Sequence, residues 1–171
     1  QLKNELGITK NDCIVSYLGS IGGWYMTKEM LRFCKLLSDK NPEAKFLFIS
    51  PHLHDVIVAE AAKYGLPADK LIIKHGKRQE VPALLSLSNY SLFFIKPCYS
   101  KLSSSPTKHG EIMAMGIPVI TNSGVGDVKE IVEKYDAGFV LDEFTDAAFN
   151  IVIDKIVTAP LFNNPSIRKC A

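Results

Sequence analysis

Cysteine is scarce and unpaired. Cys13, Cys34, Cys98 and Cys170 show none of the spacings of a disulfide framework or a zinc site, so they read as reduced thiols in a cytoplasmic protein. No apolar run is long enough to span a bilayer, and no signal peptide opens the chain. Charge is nearly balanced; a net +2 gives no general attraction to nucleic acid or to an anionic membrane surface. Repeats, low-complexity tracts and linker-like stretches are absent. No serine, histidine and acid combination points to a hydrolase, and no carboxylate pair to glycoside hydrolysis. His52 and His54 stand at a helix start on different faces, which argues against a metal site. Apolar residues are plentiful instead: 47% hydrophobic content and a mean hydropathy of +0.08 over 171 residues describe one well-packed domain of ordinary size. The chain opens on Gln1, and its last residues, Ile167-Arg168-Lys169-Cys170, read as the start of a helix. Together these predict a piece excised from a longer protein.

Short apolar runs alternate with amphipathic segments. Strands are predicted at Cys13–Leu18, Lys45–Ile49, Leu71–Ile73, Ser91–Ile95, Pro118–Thr121 and Gly138–Leu141. The first helix is capped by Thr27 and runs to about Lys40, with Met30, Leu31, Cys34 and Leu37 at helical spacing. A second starts at Ser50-Pro51 and stops at Gly65. Further helices are expected from Val81 to Leu87, from Pro106 to Gly116, from Asp127 to near Tyr135, and from Asp146 to Thr158. Asp127 with Glu130 resembles a capping box. The tail with Pro160 and Pro165 reads as loosely structured until Ser166. Strands alternating with helices imply an α/β fold: a Rossmann-like, doubly wound, parallel six-stranded sheet with helices on both faces, in the order 3-2-1-4-5-6.

In that order the chain reverses direction between strands one and four, and ligands bind at the carboxyl ends there. The loops concerned are Gly19–Met26 and Lys96–Ser105. The second feeds into Ser103-Ser104-Ser105-Pro106-Thr107-Lys108, which opens a helix that Gly116 ends. Ser105 is placed to cap this helix, and Pro106 suits the first helical position. The free N–H groups and positive dipole end of such a helix accept an anion. Lys108 and Glu111 lie three apart and share a face. The stretch is therefore either an ordinary capped helix with an exposed Lys–Glu pair, or a phosphate site flanked by a cation and a carboxylate. Its place at the switch point favours a phosphate-containing ligand. Lys74, Lys77, Arg78, Lys96, Lys101 and Lys108 all follow strand ends on that edge.

Gly19-Ser20-Ile21-Gly22-Gly23 departs from the dinucleotide fingerprint, and no acidic residue closes strand two, which argues against an NAD-type cofactor. Gly22 and Gly23 instead let the backbone approach a bulky ligand. Trp24 and Tyr25 are either a sugar or base platform or packing against a helix or an absent domain. His75, beside Gly76, borders a base pocket through backbone groups or is a simple loop histidine. His109 either touches a pyrophosphate or is exposed. Gly124-Val125-Gly126-Asp127 meets a sugar or phosphate, or only makes a tight turn.

The run from Ser105 to Ile120 resembles the signature S-P-x-K-x-x-E-x-x-A-x-G-x-P-V-[IV] of family 4 GT-B glycosyltransferases. Tyr17-Leu18-Gly19-Ser20, Glu80-Val81-Pro82-Ala83-Leu84-Leu85 and Gly138-Phe139-Val140 match that family's second domain in order, so the resemblance runs from about Cys13 to Thr158. It implies the C-terminal, nucleotide-sugar-binding half of a two-domain enzyme, with the acceptor-binding domain elsewhere in the polypeptide and the fragment alone inactive. The implied activity is retaining, metal-independent sugar transfer from a nucleotide diphosphate sugar, with polysaccharide or surface-glycan synthesis as the setting. The enzyme would be cytoplasmic, with the absent domain able to bring it to the inner face of a membrane.

By this resemblance, Glu111 hydrogen-bonds the ribose hydroxyls. The backbone of Ser103, Ser104, Ser105 and Thr107 cradles the diphosphate with Lys108 nearby. Gly19, Gly22 and Gly23 face the diphosphate, and His75 and Gly76 border the base. Two departures stand out. The family's glutamate eight residues before Glu111 is Ser103 here, and its arginine after the strand-one glycine is Ser20. Lys28, Lys77 or Arg78 is left to supply that charge. Breaking the anomeric bond leaves negative charge on the diphosphate, so fixed positive groups lower the barrier, one lost donor costing on the order of 3 kcal/mol. No DxD-type acidic cluster is present to hold a metal. A nucleotide-sugar 2-epimerase would share the fold but need additional acid–base residues around the cleft, where only Glu111 is well placed. A third reading is a non-catalytic, flavodoxin-like binding or signalling module; one of receiver type would need acidic residues after strand one, where Gly19-Ser20-Ile21-Gly22 supplies none.

Overall fold

Two strands bury nearly every residue on both faces: β1 (Cys13–Leu18) and β2 (Ala44–Ile49). Such strands belong inside a sheet with helices above and below. The computed structural model of the chain, which describes residues 2–51, 54–98, 106–158 and 167–170, shows that sheet. With β3 (Leu71–Lys74), β4 (Tyr90–Leu92), β5 (Val119–Asn122) and β6 (Gly138–Leu141), it is six-stranded and parallel, in the order β3-β2-β1-β4-β5-β6. The predicted Rossmann-like order is observed.

Helices fill the crossovers. A four-residue α1 (Leu2–Glu5), which the sequence pattern did not announce, precedes β1. Then come α2 (Thr27–Lys40), α3 (His54–Lys63), α4 (Val81–Leu85), α5 (Thr107–Ala114), α6 (Val128–Lys134) and α7 (Asp146–Thr158). Right-handed crossovers set α2 and α3 on one face of the sheet and α4, α5 and α6 on the other. The last helix, α7, returns to lie against α2. Their contact is aromatic: Phe33 meets Phe149 edge-on at 5.5 Å, and Phe94, from the segment after β4, stacks on Phe149 at 6.0 Å. None of the described helices is long and apolar enough to cross a membrane.

Several boundaries move for identifiable reasons. Thr27 starts α2 rather than capping it; Met26 holds the cap position, and the Thr27 hydroxyl accepts a hydrogen bond from Gly22 N–H at 2.9 Å. Ser50 and Pro51 precede α3, which is described from His54. Strand β4 stops at Leu92; Phe93 N–H still bonds to Ile120 O at 3.0 Å, but Ile95 then donates its N–H to Asn122 Oδ1 and accepts at its C=O from Asn122 Nδ2, both at 2.9 Å, so the buried Asn122 side chain replaces backbone pairing. Helix α4 ends at Leu85, two residues short of the predicted end. Asp127 sits at the cap of α6 without a side-chain capping bond, so the expected capping box is not formed. Pro106 occupies the cap of α5 with extended backbone, and Thr107 is its first helical residue. Ser105, expected as that cap, lies outside the described residues, as do the other two serines, Lys101 and His52. At its other end α5 closes as predicted: Gly116 adopts φ +73, its N–H bonds to Met113 O at 2.8 Å, and Ile117 N–H reaches Ile112 O at 3.3 Å.

Candidate functional site

Register sets up the site. Leu18 pairs with Ile49, and Ile49 with Lys74, so Gly19, Ser50 and His75 are the first residues past three adjacent strands, at one height. A cavity of about 590 Å³ opens there, bounded on the far side by α4 and α5. Its walls are mostly apolar, from Leu18, Ile49, Pro51, Val81, Pro82, Leu85 and Met115. Its polar groups are few: Ser50, Arg78, Lys108 and Glu111, with the backbones of Gly19 and Gly76. An apolar pocket with a few convergent polar groups is the ordinary form of a small-molecule site.

Five of the predicted site residues thus meet on one cavity: Gly19, Gly76, Arg78, Lys108 and Glu111. Gly76 is small of necessity, since a Cβ there would come within 3.0 Å of Ile49 Cγ2 and 3.2 Å of Leu84 Cδ1. The following turn is tied by Glu80, whose carboxylate accepts Lys77 N–H at 2.9 Å, and this turn carries Arg78 to the cavity. Of the candidates for the missing arginine's charge, Arg78 lines the cavity, whereas Lys28 and Lys77 are exposed and do not. Lys74 and Lys96 are likewise exposed and off the cavity.

Other predicted residues are placed differently. His75 lines a separate cavity of about 430 Å³ with Leu2 and Ala83, on the opposite side of α4. Thr107 is exposed at the start of α5 and lines no described cavity. Gly22 and Gly23 do not line the 590 Å³ cavity; they turn the loop, with φ +83 and +65, and Gly22 O receives Tyr25 N–H at 3.2 Å. Trp24 is half exposed, at 52%. Ser103, Ser104 and Ser105 lie outside the described residues.

His109 overturns both of its sequence readings. It is neither exposed nor turned to a surface site; it is 2% exposed, 5.8 Å from the Phe93 ring, and its Nε2 has no hydrogen-bond partner. Burial holds its pKa below the usual imidazole value, with the Asp127 carboxylate pulling the other way. The spacing His109, Ile112, Met113 was the available signal, because all three lie on the buried face of α5.

Lys108 is the best-defined charge of the site. Its Nζ donates to Tyr25 Oη at 2.8 Å and lies 4.2 Å from the centre of the Tyr25 ring. It also rests on Gly19, where a Cβ would fall 2.1 Å from Nζ. Tyr25 meets Tyr17 edge-on at 6.0 Å, and the Tyr17 hydroxyl donates to Ser20 O. Burial, with a smaller contribution from Tyr25, lifts the Tyr17 hydroxyl well above its usual pKa, so it stays a neutral donor. The loop is stitched to the exit of β4: Met26 N–H bonds to Phe94 O, Lys96 N–H to Trp24 O, and Tyr25 bridges Ile95. Neither sequence reading of Tyr25, platform or packing, anticipated this contact, because its partner is 83 residues away.

The profile of the family described as glycosyl transferases, group 1, matches residues 1–168. Among solved structures, the chain is similar to WaaG, a glycosyltransferase involved in lipopolysaccharide biosynthesis, at 18% identity and a TM-score of 0.72, covering 98% of this chain and 43% of that one. It is similar to an α,α-trehalose-phosphate synthase (UDP-forming) from Burkholderia vietnamiensis at 10% identity and a TM-score of 0.69, covering 99% of this chain and 42% of that one. The C-terminal domain of LpcC, a glycosyl transferase group 1 family protein from Francisella tularensis, aligns at 16% identity and a TM-score of 0.62, over 92% of this chain and 80% of that domain. No curated protein matches the chain in sequence. The chain thus spans less than half the length of the first two structures.

Proposed function

The chain belongs to the glycosyl transferases of group 1, and from that premise we propose that it is the C-terminal, donor-binding half of a family 4, retaining, metal-independent glycosyltransferase. Its donor is a nucleotide diphosphate sugar, its acceptor is held by a second domain of the same polypeptide, and its setting is cytoplasmic synthesis of a polysaccharide or surface glycan. The observation that carries this reading is the pairing of Lys108 and Glu111 on one mostly apolar cavity at the carboxyl ends of β1 and β2. Apolar walls suit a base and ribose, a carboxylate suits ribose hydroxyls, and cations suit a diphosphate.

Each residue then has a task. Glu111 accepts hydrogen bonds from the ribose hydroxyls. Gly76, at the cavity wall, borders the base, whereas His75, on a separate cavity, has no part in this site. Gly19 allows the diphosphate to approach the backbone, and Gly22 and Gly23 shape the loop that carries it. Ser103, Ser104, Ser105 and Thr107 offer backbone N–H groups at the start of α5. As the anomeric carbon–oxygen bond breaks, the electron pair moves onto the diphosphate, and Lys108 and Arg78 meet the new charge without a metal ion. Calorimetric titration of the protein with UDP, GDP and their sugars tests the reading. One nucleoside diphosphate should bind; Glu111→Ala should abolish that binding and Lys108→Ala weaken it. Absence of binding by all of them at millimolar concentration refutes the donor assignment.

A further inference from the structure

A lysine on an open helix face samples many rotamers and keeps its ammonium in water. Lys108 is half-buried and its ammonium is held in place. One side chain and one backbone hold it: Tyr25, with the hydroxyl at 2.8 Å and the ring centre at 4.2 Å, and Gly19, which has no room for a Cβ. Tyr25 is itself fixed, by its backbone bridge to Ile95 and by the edge of Tyr17. It does not line the cavity, whereas Lys108 and Gly19 do. The residue therefore acts on the cavity only through the lysine.

We propose that Tyr25 is a positioning residue, which holds the Lys108 ammonium at the cavity wall beside Gly19, ready for the diphosphate of the donor. This rests on the reading of the cavity as a donor site. The physical advantage is preorganisation. A cation already fixed where charge develops loses little freedom on meeting the ligand and needs no rearrangement when the bond breaks. The hydroxyl lone pair and the ring face both favour the ammonium where it lies, and the ring face persists in phenylalanine. Leucine removes both.

The test is calorimetry on the intact protein with whichever of UDP and GDP binds, run beside the matching nucleoside without phosphates. Tyr25→Leu should weaken the diphosphate by about tenfold and Tyr25→Phe by about threefold, from loss of a charged hydrogen bond with and without the ring. Binding of the bare nucleoside should not change. Lys108→Ala combined with Tyr25→Leu should bind no more weakly than Lys108→Ala alone, since both remove one interaction. Equal losses for diphosphate and nucleoside would mean a merely structural role and overturn the proposal. So would losses that add in the double variant, or unchanged diphosphate binding in Tyr25→Phe and Tyr25→Leu. If the unmodified protein binds neither diphosphate, the donor reading itself fails, an outcome separate from failure of the variants.

Discussion

Gly19→Ala puts the arrangement around Lys108 to a quantitative test. Gly19 has φ +143, a conformation that costs an L residue on the order of 1–3 kcal/mol. An added Cβ would also stand 2.1 Å from Lys108 Nζ, 3.3 Å from Lys108 Cε and 3.3 Å from Tyr17 Oη. The nearest atom is the end of a flexible side chain, so the lysine yields and the backbone stays. Yielding forfeits its contacts with Tyr25, worth about 0.5–1 kcal/mol for a cation over a ring at a half-exposed site. The substitution should therefore cost about 1.5–4 kcal/mol in the native protein, but only the backbone share, about 1–3 kcal/mol, when Lys108 is already methionine. Urea unfolding of the four proteins (unmodified, Gly19→Ala, Lys108→Met and both) measures the difference. A cost of Gly19→Ala that is the same in both backgrounds, within the about 0.3–0.5 kcal/mol expected of independent sites, would refute the placement of the ammonium against Gly19.

Two further outcomes are expected. Gly138→Ala would place a Cβ 1.9 Å from Val119 O and 2.6 Å from Val119 N, on paired backbone that cannot yield, so a loss above about 4 kcal/mol and poor soluble expression should follow, whereas Gly22→Ala meets nothing within 4 Å and should cost about 1 kcal/mol. A Gly138→Ala protein with a nearly unchanged melting temperature would contradict the strand pairing. His109, whose folded pKa lies below the usual imidazole value, binds fewer protons folded than unfolded, so its contribution is complete above about pH 6.5 and is lost as pH falls through the window beneath that value. Urea midpoints of the native protein should fall between pH 7 and pH 5 more steeply than those of His109→Phe; parallel profiles would exclude this role.

Where the chain obeys a short-range rule, its structure was legible. Strands buried on both faces declared themselves as apolar runs, and the reach of β1 and β6 was read to the residue. Gly116 ended α5 as its conformational freedom implies. Misreadings arose where a side chain serves a distant segment. Thr27 looked like a cap, but its hydroxyl is taken by Gly22 N–H. The fourth strand looked as if it ended three residues later than it does, because the apolar run Phe93-Phe94-Ile95 continues past the strand's end, where the buried amide of Asn122 takes over the hydrogen bonds of Ile95. Within the site, Lys108 and Glu111 were visible because they share one helix. The Lys108–Tyr25 contact was not, because it exists only once the loop after β1 is stitched to the exit of β4.

That contact also explains why the number of cations on this edge says little about what the edge does. Six basic residues follow strand ends, yet only Arg78 and Lys108 reach the cavity among the described residues. Lys74, Lys77 and Lys96 stand in water, where two unit charges 4 Å apart interact by about 1 kcal/mol and salt reduces that further. Lys108 is half-buried beside the apolar walls formed by Leu18 and Ile49, where the same pair of charges interacts by about 4 kcal/mol. An anion in the cavity would therefore gain more from one half-buried lysine than from any one solvated lysine. The absence of arginine at Ser20 then has a physical consequence. With no long cation rooted on the loop after β1, that loop contributes Gly19, whose missing side chain makes room for the ammonium, and Tyr25, whose ring holds it. Positive charge reaches the loop from α5, across the point where the sheet changes direction.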